Sequence, residues 1–146
     1  MRICIMFALL FAATVVVFGE KDASLEELKS RAATAPINAQ PALCTEIAER
    51  QLKAADQLYS SGDVTAATAA VSDIVTYSTQ AAHAANESGK GLKPTEIALR
   101  KMADRLLTIR HTLAFEDQKP VEDAANRLEA LRSELLARMF AKGKKQ

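Results

Sequence analysis

The chain has 146 residues, 19 basic and 18 acidic side chains, a formal charge of +1, 49% hydrophobic residues and two cysteines. This balance excludes the broad basic footprint of a nucleic-acid binder, and two cysteines cannot build the dense disulfide framework of a small stapled scaffold. A hydrophobic core must hold the molecule together, and a chain of this length can bury one in a single domain.

Met1-Arg2 and the apolar run from Ile3 to Phe18 have the charged start and hydrophobic centre of a secretory signal peptide. Val17 and Gly19 stand three and one residues before a cut ahead of Glu20, so residues 1–19 are expected to be removed on export to the periplasm or outside the cell. The run is short of the roughly 20 residues that span a bilayer, so no integral membrane span is expected after cleavage. Retention as an anchor is the alternative. Cleavage removes Cys4 and leaves Cys44 as the single thiol, which is expected to pack as a small buried hydrophobe. It also equalises the charges at 18 each, unevenly placed: Glu20 to Ser88 carries ten acids and five bases, and Gly89 to Gln146 eight acids and thirteen bases. The two halves should attract each other.

Residues 20–40 read as a short helix and a linker. Ser24-Leu25-Glu26-Glu27 fits a capping box, with the helix expected to end near Ala33, and Pro36 and Pro41 keep it from continuing. Pro41 suits the first position of a second helix, whose apolar stripe runs through Cys44, Ile47, Ala48, Leu52, Ala55, Leu58 and Tyr59 to a stop at Gly62.

Asp63 to Ser88 is an alanine-rich stretch without lysine or arginine, read as the central packing helix. Gly89 to Lys93 ends it. Pro94 is expected to open a fourth helix with Leu99, Met102, Leu106, Ile109 and Leu113 as its seam, and Pro120 a fifth with Val121, Ala124, Leu128, Leu131, Leu135 and Met139. Short connections favour antiparallel neighbours. The expected fold is therefore all-α: an up-down bundle of four long helices over residues 41–142, a short helix before it and a basic tail at 143–146. Core positions are expected at Ile47, Leu58, Val71, Ile74, Met102, Leu106, Ile109, Leu113, Leu128, Leu131 and Leu135.

Leu58-Tyr59, then Gly62-Asp63, Val64 and the small Ala67, resembles the inter-helix turn of a tetratricopeptide-type hairpin over residues 48–75. The resemblance implies that Gly62 makes the turn and that Ala67 lets the second helix pack on the first. It also implies, as that family's usual role, peptide binding in a groove. No second copy occurs about 34 residues on, and both helices exceed that family's length.

Templates for chemistry are not met. Covalent haem needs C-x-x-C-H, and a di-iron bundle needs Glu-x-x-His pairs, whereas Gln80 and Thr108 precede His83 and His111 by three. His83 and Glu87 read as a solvated helix-end pair. Glu116-Asp117 and Glu122-Asp123 lack calcium-loop spacing, and no nucleophile elbow, His-Glu-x-x-His or phosphate loop occurs. No cofactor, metal or catalytic residue is expected.

Arg100, Arg105 and Arg110 are candidate surface contacts, with pairing to Glu96, Asp104, Glu129 and Glu134 the simpler expectation for these bases and their neighbours on the last helix. Together these features point to an exported, non-enzymatic envelope protein that binds another protein or itself. A periplasmic chaperone-like or small-ligand-binding helical protein is the alternative.

Overall fold

Local signals set most of the helix ends. In the computed structural model, which describes residues 23–143, α1 spans Leu25–Thr34, α2 Gln40–Ser61, α3 Val64–Ser88, α4 Leu92–Arg110 and α5 Phe115–Gly143. The expected signal peptide at 1–19 and the last three tail residues lie outside that range. The helices take up 87% of the described residues, and no strand occurs among them, so the chain is an all-α bundle.

Ser24 caps α1, its Oγ accepting from the Glu27 N–H at 3.2 Å. Pro41 sits in the first turn of α2, where its missing N–H costs nothing. Two starts differ from the expectation. Helix α4 opens at Leu92 because Gly91, at φ +71°, takes the left-handed capping conformation; Pro94 then falls within the first turn, whose N–H groups have no helical partner anyway. Helix α5 opens at Phe115, five residues before Pro120, which is exposed inside the helix. The proline there forgoes one bond close to the helix start, while the preceding turn is closed by Thr112 N–H to the Ile109 carbonyl (2.9 Å) and Leu113 N–H to that of Arg110 (3.1 Å).

Consecutive long helices run antiparallel. Along α2 and α3, Gln51 meets Asp73 and Cys44 meets Gln80, seven residues forward against seven back. In α4 and α5, Glu96 meets Arg132 and Arg110 meets Glu122. The two hairpins then lie side by side with like helices parallel: Pro41 of α2 abuts Gly91 at the start of α4, and Asp56 reaches Arg105. Helices α2 and α5 occupy the diagonal, with no close backbone approach.

The main core draws on all four long helices, with Ala55, Ile74, Leu99, Leu106, Leu128 and Leu135 among its buried residues. A separate, smaller cluster joins Leu28 and Ala32 of α1 to Cys44, Ile47 and Ala81. Nine of the eleven expected core residues are buried; Leu58 and Leu113 are half-buried against the main core. Leu113 falls short because α4 ends at Arg110 and leaves it in the turn, and Leu58 because it sits one turn from the hairpin end.

Candidate functional site

The hairpin turn is built from backbone requirements. Gly62 stands at φ +86°, a left-handed conformation natural to glycine, and a Cβ there would meet nothing within 4 Å. Its N–H donates to the Tyr59 carbonyl at 3.1 Å, and the Asp63 N–H to the Leu58 carbonyl at 2.9 Å, so two carbonyls at the end of α2 are satisfied. Asp63 caps α3 by accepting from the Ala66 N–H at 3.1 Å. Ala67 is fully buried. The three turn residues therefore have structural tasks.

The seam between α2 and α4 brings together a pattern that helical periodicity alone does not reveal. Thr45-Glu46-Ile47-Ala48-Glu49-Arg50 and Thr95-Glu96-Ile97-Ala98-Leu99-Arg100 share five of six residues at a spacing of 50. They occupy matching positions on two parallel helices. Thr45 and Thr95 line one cleft of about 190 Å³ together with Pro41, Glu46, Glu49 and Pro94. Gly91 at its edge leaves no slack, since a Cβ there would lie 3.2 Å from the Pro41 ring. A search for repeats at a period of 50 would have found the pattern; a search at 34 could not.

The structure distributes the arginines. Arg105 pairs with Asp56 at 2.5 Å and joins the hairpins, and Arg110 pairs with Glu122 at 3.3 Å within the second hairpin. Arg100 is exposed, and no ion pair to it occurs among the described residues. Arg132 bridges Glu96 (2.6 Å) and Glu129 (3.0 Å), hydrogen bonds that hold its guanidinium above the usual range. Glu96 is itself buried, so this pair fixes the start of α4 to the second half of α5. The matching Glu46 instead pairs with Arg50 at 2.7 Å.

On the other side of α2, Asp73 accepts from Gln51 Nε2 at 2.6 Å and from Lys29 Nζ at 3.1 Å. Lys29 also lies over the Tyr77 ring, 5.8 Å from its centroid. The hydrogen bond to Asp73 raises the Lys29 ammonium above the usual lysine range. Arg50 donates to the Ala23 carbonyl, tying down the entry to α1.

Titratable groups are otherwise dispersed. His83 and Glu87 form an exposed pair at 3.5 Å. Burial pushes the Cys44 thiol up, so it stays protonated at neutral pH, with Gln80 Oε1 at 3.8 Å. Among the described residues no three His, Cys, Asp or Glu side chains converge where they could hold a metal ion, and no helix is long and apolar enough to cross a membrane. The polar groups brought together are those that lock helices to one another. No family model matches the chain, and neither do any curated protein or solved structure.

Proposed function

We propose that this chain is an exported, non-enzymatic helical protein of the cell envelope that binds another envelope protein or a second copy of itself. One observation carries the reading: two hairpins lie side by side, and Thr45, Glu46 and Thr95 from the two copies of the Thr-Glu-Ile-Ala pattern line one cleft between parallel helices. The two hairpins share one core, and the cleft over the α2–α4 seam is the surface that both of them present together. The tetratricopeptide-type turn at Gly62, Asp63 and Ala67 agrees with it, although the spacing of 50 is wider than that family's. Export rests on the character of residues 1–19, and the work of the titratable groups as helix locks favours binding over catalysis.

The test is affinity capture of the tagged protein from solubilised envelope, with mass spectrometry of the retained proteins. One stoichiometric partner, or the chain itself, is expected. A diffuse set of unfolded proteins would favour the chaperone-like alternative. A cleft of about 310 Å³ between α3 and α5, where Val71, Val75 and Ala124 are rimmed by Thr68, Thr76, Asp123 and Arg127, gives that alternative a place for a small amphipathic ligand.

A further inference from the structure

Helix α1 stands apart from the rest of the molecule. Its buried side chains, Leu28 and Ala32, belong to the smaller cluster, and the main core contains none of its residues. Its backbone approaches α2 alone. A short link carrying Pro36, closed by Ala39 N–H to the Pro36 carbonyl at 2.9 Å, leads from α1 to α2. Ten residues are too few for a helix to persist unaided in water, so α1 owes its form to the face it covers.

That face has a definite specificity. Ile47, Ala81 and the side of Cys44 make an apolar floor, while Asp73, held by Gln51, and the Tyr77 ring receive a single ammonium. The matching ligand is a helix with an apolar residue, a lysine directly after it and a small residue four positions beyond the apolar one. Leu28, Lys29 and Ala32 are that pattern.

We propose that α1 is a detachable strap, and that the α2–α3 face beneath it is a docking site whose second occupant is the α1 of another copy of this chain. Release of α1 leaves the main core intact, because no residue of that core is lost with it. The link is short, and opening its turn lets α1 reach across to a neighbour, the low-cost route by which identical elements are exchanged between copies. The inference rests on the self-association form of the proposed function and supplies its contact.

Cys44 reports the state of the strap. In the full chain with Cys4→Ser, Cys44 is the one thiol, and the rate of its alkylation under native conditions measures uncovering of the face. Lys29→Glu sets a carboxylate against Asp73, and the rate is expected to rise by about tenfold or more while the helical circular dichroism of the bundle is kept. Leu28→Ala should act in the same direction without introducing charge. A synthetic peptide of residues 23–35, added to either variant, should restore protection, and the same peptide with Leu28→Asp should not. The inference is overturned if Cys44 in both variants reacts no faster than in their parent, if the rate follows global unfolding in denaturant, or if the wild-type peptide gives no protection. Envelope capture reads a partner and alkylation reads the face itself, so failure of one is distinct from failure of the other.

Discussion

The two hairpins reach the same antiparallel geometry by opposite means. Helix α3 buries Ala67, Ala70, Ala81, Ala82, Ala84 and Ala85, with Val71 and Ile74 as its larger core residues, and meets its neighbours through small side chains. The second hairpin closes over Leu99, Met102, Leu106 and Ile109 from α4 and Val121, Leu128, Leu131 and Leu135 from α5. An alanine surface has little volume to lose and no room to gain. A leucine seam has much to lose, because each truncation leaves a void that a close-packed interior only partly fills.

The difference can be broken or sharpened by substitution. Leu106→Asp should have the largest effect, several kcal/mol, since it sets an unpaired carboxylate in the fully buried seam; a thermal melt matching the parent protein would show that the seam does not hold the bundle together. Ala85→Leu comes next and probes the opposite fault. Overpacking at this fully buried site should cost about 1–3 kcal/mol in urea denaturation, and a neutral result would mean that the α3 surface has slack. Gly62→Ala should be smallest, roughly 1 kcal/mol, because its Cβ has open space and only the left-handed backbone resists it. A cost as large as that of Leu106→Asp would show that the turn, and not the helix faces, holds the first hairpin.

Much of this architecture was legible in the residues. Apolar spacing placed the second, fourth and fifth helices, the capping box at Ser24 the first and alanine content the third, and the Gly62 turn gave the first hairpin. The prolines misled at the later starts. Proline marks a first turn only if no better start lies upstream; Gly91 supplied one, and the turn at residues 111–114 carries neither glycine nor proline to announce itself. The pairing of α2 with α4 was hidden for another reason. Apolar periodicity says which face of a helix is buried and nothing about which distant helix covers it; the Thr-Glu-Ile-Ala pattern repeats at two positions that meet without saying that they must. The arginines illustrate the same limit, because Asp56 and Glu122 lie on other helices and could not be chosen from sequence spacing.

The parallel seating of α2 and α4 has a consequence for the order of events in folding. Within each hairpin the partners lie near in the chain and can meet as soon as the intervening turn forms. Pro41 and Gly91, or Asp56 and Arg105, meet only after about fifty residues have been drawn into a closed loop, an entropic toll that those residues lower by first condensing into α3 and its turns. From the separation of these contacts along the chain, the two hairpins are expected to form before they dock, and the docking creates the cleft between Thr45 and Thr95.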